Sequence, residues 1–155
     1  MRKLVLFDFA LIAIMSLVAF YISKKDHEKR HYTQALQPQV GDQDDGLSKS
    51  IARGEELYSD FCMQCHLVNG EGVPNTYPPL AKSDWLIEKR TESIHAVKYG
   101  QKGLITVNDK PYNSVMTPMG LNNQEVTDLM NFIMNSWGNK QEQMVTVDEV
   151  TKVEK

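Results

Sequence analysis

The chain has 155 residues, of which 41% are hydrophobic and 24% are charged, and its formal net charge is −3 at pH 7. This length gives room for one domain of ordinary size with additional terminal segments. The slightly acidic charge, without a cluster of lysine and arginine interleaved with aromatic residues, argues against a nucleic-acid-binding protein.

An apolar segment lies close to the N-terminus, from Leu4 to Ile22, interrupted only by Asp8 and Ser16. A helix of these 19 residues would nearly span the ~30 Å hydrocarbon core of a bilayer. The segment has no convincing small-x-small cleavage site, which favours a retained membrane anchor at residues 1–23. A cleaved signal peptide is the alternative.

The next residues, 24–48, predict a flexible linker. Their apolar residues are sparse and show no sustained period, which is typical of a solvated tether. A tether of this kind has an r.m.s. reach of ~25–30 Å. We therefore expect the following domain to reach partners on the same membrane.

A folded domain is predicted for residues 49–139, and its first helix should begin near Ser48 or Ser50. Ile51, Tyr58 and Phe61 recur at helical spacing and lead directly into the next motif. Residues 140–155 form a C-terminal tail, in which valines alternate with glutamate and lysine. Such a tail could lie on the domain or pair with a partner.

The most specific motif of the chain is Cys62-Met63-Gln64-Cys65-His66. Cys-x-x-Cys-His is the attachment site of a c-type haem, in which two thiols form thioether bonds and the imidazole binds the iron. A structural zinc site would need four ligands, and the chain has only two cysteines. A thioredoxin-like pair would need a buried strand before the motif, whereas the preceding residues predict a helix.

Two short helices are expected after the motif. The first contains Trp85 to Ile87 and follows Ser83, which offers N-cap chemistry. The second runs from Thr91, as its cap, to Tyr99, with Gly100 ending it. Its buried side should carry Ile94 and Val97.

The remaining pattern predicts a loop or small hairpin followed by the best-marked helix. The loop or hairpin covers 103–116, with a turn at Asn108-Asp109-Lys110. The helix has Asn122 as N-cap, Glu125 as the capping-box partner, and Gly138 as its end.

A second axial ligand for the iron would come from a methionine. Of the eight methionines, six lie in the terminal segments, the haem motif or the last helix, which leaves Met116 and Met119. A thioether sulfur suits ferrous haem, and a His/Met pair raises the reduction potential relative to two nitrogen ligands.

These motifs together make residues 50–150 resemble a class I, single-haem cytochrome c. The matching stretches are Tyr58, Cys62–His66, Gly70–Gly72, Pro78–Leu80, Tyr112–Pro118 and Asn135–Asn139. More narrowly, they are similar to haem domains associated with periplasmic oxidoreductases such as copper nitrite reductases and quinoprotein dehydrogenases. The resemblance implies an all-α cytochrome c fold around one covalent haem c with its iron, preceded here by the expected transmembrane helix.

The resemblance also implies roles for individual residues. Met116, rather than Met119, would be the distal ligand opposite His66, with Cys62 and Cys65 holding the haem covalently. Pro78 would accept the hydrogen bond of the proximal imidazole, and Gly54 would let the first helix approach Phe132. The side chains expected to pack in the haem pocket are Pro78, Leu80, Trp85 and Tyr112.

A haem with two protein ligands has no position left for a substrate, so the sequence predicts an electron carrier and not an enzyme. It could also serve as the electron-transfer subunit of an oxidoreductase. Its expected partners are proteins and membrane lipid, with no small-molecule substrate. Because bacteria complete haem attachment outside the cytoplasmic membrane, we expect a single-pass inner-membrane protein with its haem domain in the periplasm. The alternative is a peroxidase-like or nitrogen-oxide-reducing haem enzyme with an open or labile distal site.

Overall fold

The computed structural model describes residues 42–141 and 143–155. The predicted anchor at 1–23 and most of the predicted linker lie outside these residues. Within the described part of the chain, no helix is both long enough and apolar enough to cross a membrane. The described residues contain the following elements: α1 (Asp42–Phe61), α2 (Met63–His66), α3 (Asp84–Glu88), α4 (Arg90–Tyr99), β1 (Ile105–Val107), β2 (Lys110–Tyr112), α5 (Asn123–Ile133) and α6 (Val147–Lys152).

The crossing of α1 and α5 forms the centre of the domain. Gly54 lies at this crossing, where an added Cβ would overlap the backbone carbonyl of Asp128 and lie 2.7 Å from the Cβ of Phe132. Next to it, the rings of Tyr58, Phe132 and Trp137 contact one another with centroid distances of 4.8 to 5.4 Å. A residue larger than glycine at position 54 would therefore separate the two helices.

The last helix begins as the sequence predicts. The Asn122 side chain accepts hydrogen bonds from the N–H groups of Gln124 and Glu125, and the Glu125 carboxylate accepts one from the Asn122 N–H. This capping box confirms the predicted start. The predicted end at Gly138 is wrong, because α5 ends at Ile133 and the chain then turns through Trp137, whose φ is +52°.

The prediction of an all-α fold is incomplete, because the described chain also has a two-stranded antiparallel sheet. β1 and β2 pair Ile105 with Tyr112 and Val107 with Lys110. Asn108 and Asp109 between them have φ values of +49° and +60°. Such positive φ values at both turn residues match the right-handed twist of a hairpin. The hairpin alternative at 103–116 is the one the structure contains.

Two predicted helix starts are also displaced. α4 begins at Arg90, so Thr91 lies inside the helix and does not cap it. α1 begins at Asp42, so the last seven residues of the predicted 24–48 linker are helical. Extending a helix costs less than nucleating one, so the helix can propagate from its packed part, which begins at Ser50, back to Asp42. At α3, Ser83 occupies the N-cap position but makes no capping hydrogen bond.

The C-terminal tail packs on the domain. Val145, Val150 and Val153 are at most 8% exposed and belong to the same core as α4 and α5. The Asn131 side chain donates to the Val145 carbonyl at 3.0 Å and accepts from its N–H at 2.8 Å. The predicted boundary at residue 139 therefore divides one packed unit, and we call residues 143–153 the C-terminal strap.

Candidate haem-binding site

The Cys-x-x-Cys-His motif folds as a single helical turn at the end of α1. The Cys62 N–H donates to the Tyr58 carbonyl at 2.9 Å, and the N–H groups of Cys65 and His66 donate to the Cys62 carbonyl at 3.1 and 2.9 Å. Leu67 then leaves the helix with a φ of +62°. This turn brings both thiols and the imidazole to the wall of one cleft.

The His66 ring is held in one orientation by a backbone carbonyl. Its Nδ1 lies 3.0 Å from the Pro78 oxygen, and because a carbonyl can only accept, Nδ1 carries the proton and donates. Burial lowers the pKa of His66, and the hydrogen bond to Pro78 opposes that shift only in part. The imidazole is therefore favoured in its neutral form, which leaves the Nε2 lone pair for a metal.

Gly72 allows the loop carrying Pro78 to approach His66. It has a φ of +66°, and a Cβ there would lie 2.7 Å from the Pro78 oxygen. Its N–H donates to the His66 carbonyl at 3.0 Å. From sequence, Gly72 is recognisable only as part of the family resemblance. The residue type itself is the signal for this close approach, because few residues other than glycine adopt a positive φ.

The cleft beside the motif has the size and lining of a cofactor site. It contains about 1220 Å³ of space not filled by protein atoms, part of which is open solvent. Predicted pocket residues Pro78, Leu80, Trp85 and Tyr112 all line it, together with other mostly apolar residues from α4, α5 and the hairpin. Of these four, Tyr112 is the most buried, at 5% exposure.

Both candidate methionines line this cleft, so the lining alone does not distinguish Met116 from Met119. Their backbones differ, however. The N–H of Met116 donates to the Gln101 carbonyl at 2.8 Å, and the N–H of Gln101 donates to the Met116 carbonyl at 2.9 Å. Gln101 has no recognisable sequence signal, because a backbone bridge does not depend on the side chain.

The donor set fits a c-type haem. Two thiols lie one helical turn apart, and one imidazole nitrogen is available. The thioethers of Met116, Met119 and Met130 line the same largely apolar space. Burial, and to a smaller extent the charge of the nearby Cys65 thiolate, raise the pKa of the Cys62 thiol to about 12. Within residues 42–141 and 143–155, no group of three or more His, Cys, Asp or Glu side chains could hold a separate metal ion.

Comparison with known proteins agrees with this geometry. Residues 51–137 match the family model described as cytochrome c. The chain belongs to the cytochrome c family. It accordingly binds haem c covalently and acts as an electron carrier, not as a catalyst.

Individual relatives support the same assignment. The chain is 32% identical to cytochrome c-552 of Thermus thermophilus over 117 residues, which cover 70% of this chain and 78% of that protein. It is 33% identical to the cytochrome c subunit of a quinone-dependent alcohol dehydrogenase from Gluconacetobacter polyoxogenes, over 64% of this chain but only 22% of that subunit. It is 32% identical to the cytochrome c subunit of a gluconate 2-dehydrogenase from Pantoea cypripedii, over 73% of this chain and 28% of that subunit.

Proposed function

We propose that this cytochrome c carries single electrons between protein redox partners, with His66 and Met116 as the axial ligands of its haem iron. One observation carries the proposal: a single cleft is lined by Cys62, Cys65, His66 and Met116. When bound, the haem supplies one-electron exchange between ferrous and ferric iron. With both axial positions filled by the protein, the iron would have no site for a substrate.

The residues around the cleft would each contribute to this role. The hydrogen bond from His66 Nδ1 to Pro78 O fixes the ring, so that Nε2 would be presented to a bound iron in one orientation. Apolar side chains such as Leu80 and Val97 line the space beside the motif, and with the haem in place they would limit the access of water to it. A constant ligand set and restricted access of water would reduce the rearrangement that accompanies each electron transfer.

The ligand assignment is tested by comparing Met116→Ala with Met119→Ala. In the oxidised wild-type protein we expect the Met–iron charge-transfer band, and in the reduced protein we expect little binding of carbon monoxide. Met116→Ala should lose the band, bind carbon monoxide and have a lower reduction potential, whereas Met119→Ala should keep all three wild-type properties. The opposite pattern would assign Met119 as the ligand, and a wild-type protein that binds carbon monoxide freely would favour the enzyme alternative.

The proposed partners are proteins, and one of them is a quinoprotein dehydrogenase or a similar oxidoreductase. Two relatives are named as cytochrome c subunits of dehydrogenases, which supports this class of donor. Residues 50–138 contain seven lysines and arginines and ten aspartates and glutamates. This domain is therefore mildly acidic, and a partner with a neutral or basic contact surface would suit it. Stopped-flow reduction at increasing ionic strength would test this, because attraction between opposite charges weakens with salt.

We further propose that residues 1–23 anchor the protein in the bacterial inner membrane, with the haem domain in the periplasm. The support is the apolar run from Leu4 to Ile22. An anchored protein should remain in the membrane pellet through a carbonate or high-salt wash, because burial of apolar residues is not screened by salt. A soluble native protein whose N-terminus begins after Ala19 would instead identify a cleaved signal peptide.

A further inference from the structure

The loop that carries Met116 is held by α4 through its backbone. Between β2 and α5, residues 113–122 form no helix or strand. Met116 makes an isolated antiparallel bridge with Gln101, through hydrogen bonds of 2.8 and 2.9 Å. Met119 takes part in no backbone hydrogen bond within the described part of the chain. The backbone of one candidate ligand is therefore fixed, and that of the other is not.

Gly100, which ends α4, allows this bridge to form. Its φ and ψ are +86° and 170°, a combination that is essentially restricted to glycine. A Cβ at this position would lie 2.6 Å from the Met116 carbonyl oxygen and 3.0 Å from Cδ of Pro118. Any larger residue would push the Met116–Pro118 segment away from the end of α4.

The end of α4 is itself fixed by hydrogen bonds to the C-terminal strap. The Lys98 ammonium donates to the carbonyls of Val150 and Val153 at 2.8 and 3.0 Å. The Tyr99 hydroxyl donates to the same Val153 carbonyl at 3.1 Å. Gly100 therefore follows directly on Lys98 and Tyr99, which are both hydrogen-bonded to the strap. The bridge between Gln101 and Met116 thus begins next to a fixed part of the chain.

We propose that Gly100 and Gln101 are positioning residues that hold Met116 at the iron. This inference rests on the proposed His66/Met116 ligation. The bridge fixes the Met116 backbone before the sulfur binds, so less chain entropy is lost when the Met–iron bond forms. Without the bridge, the loop would have to be ordered by the metal bond alone, and the distal position would be exposed to solvent and to small ligands.

The test compares Gly100→Ala with Gly103→Ala, which serves as a matched control. Gly103 also has a positive φ, +91°, but a Cβ there would meet nothing within 4 Å. We expect Gly100→Ala to lose most of the Met–iron charge-transfer band and to bind carbon monoxide when reduced, while its far-UV circular dichroism is unchanged. Gly103→Ala should keep the wild-type band and resist carbon monoxide.

The wild-type band, and its loss in Met116→Ala, establish the ligation independently of the bridge. If these hold but Gly100→Ala keeps the full band, the positioning role is refuted and the proposed function is not. If Gly103→Ala loses the band as completely as Gly100→Ala, backbone strain and not the contact with Met116 is responsible, which also refutes the role.

A second measurement uses the wild-type protein and does not depend on whether Gly100→Ala matures. In the reduced protein, the amide hydrogens of Gln101 and Met116 should exchange with solvent at least about tenfold more slowly than that of Met119, because only the first two are hydrogen-bonded. Equal exchange at Met116 and Met119 would overturn the inference.

Discussion

Replacing Gly54 with alanine should destabilise the protein, even though alanine is the better helix former. The added methyl group would overlap the Asp128 backbone carbonyl and lie 2.7 Å from the Phe132 Cβ. Overpacking of this kind costs about 1–3 kcal/mol. Because the carbonyl belongs to α5 and cannot rotate away, we expect the upper end of that range.

The intrinsic preference of a helix for alanine offsets about 0.5–1 kcal/mol of this cost. The net loss should therefore be about 2 kcal/mol. At an unfolding entropy of about 2.1 cal/mol/K per residue, this is a decrease in Tm of roughly 8 °C for a packed unit of little more than ~100 residues. Guanidinium unfolding of the mature haem protein, followed by far-UV circular dichroism, measures the difference.

Gly46→Ala is the matched control, because it lies in the same helix and its Cβ would meet nothing within 4 Å. This variant should be more stable than wild type by about 0.5–1 kcal/mol if the start of α1 remains helical. The two variants should thus shift in opposite directions. Gly54→Ala with wild-type or higher stability would refute the close approach of α1 and α5.

Three further predictions concern the haem, the buried carboxylate and the C-terminal strap. The double variant Cys62→Ser/Cys65→Ser should show no haem staining on denaturing gels, since no thioether bond can form, and normal staining would contradict covalent attachment there. Burial opposes ionisation of Asp128, but hydrogen bonds from Arg53, Ser50 and Gln124 outweigh this effect and lower the pKa of the carboxyl below its usual 3.8. The ionised carboxylate therefore contributes its full stabilisation above pH 3.8. This stabilisation is lost as the pH falls through the lower pKa of the folded state. The free energy of unfolding, measured at decreasing pH, should accordingly fall at low pH, and it should fall less in Asp128→Asn. The same decrease in the variant and in wild type would refute the lowered pKa of Asp128. Lys98→Met should reduce the free energy of unfolding by about 1–3 kcal/mol, because two strap carbonyls lose a charged donor, whereas Lys102→Met, at an exposed position, should leave it unchanged.

The features that were predictable from sequence depend on chemistry that is local in the chain. The Cys62–His66 motif fits within one helical turn, and the capping box of Asn122 and Glu125 spans four residues. The asparagine-aspartate turn also follows from the ease with which these residues adopt positive φ values. In each case the partners are close in sequence, so spacing alone carries the information.

The features that were missed or left open depend on contacts between distant parts of the chain. Gln101 pairs with Met116 through backbone atoms, and backbone hydrogen bonds do not require a particular side chain. Val145, Val150 and Val153 are spaced by five and three residues, a pattern that fits neither a helix nor a strand, and their burial follows from the surface that α4 and α5 offer. The choice between Met116 and Met119 likewise came from family resemblance, and only the structure adds a physical difference between them.

A buried polar chain explains why the strap belongs to the domain. Asp128 accepts hydrogen bonds from Arg53 and from the Ser50 hydroxyl, which lies 2.6 Å away. Asn131, one turn later in α5, donates to the same hydroxyl and to the Val145 carbonyl. Asp128 is satisfied only while α1 and α5 stay together, and Asn131 only while the strap also stays in place. Leaving either of these buried groups unpaired would cost about 1–3 kcal/mol. The two helices and the strap should therefore form and unfold as one unit. The C-terminal end of α4 is hydrogen-bonded to the strap. The bridge that follows α4 can therefore fix the Met116 loop only while this unit is folded.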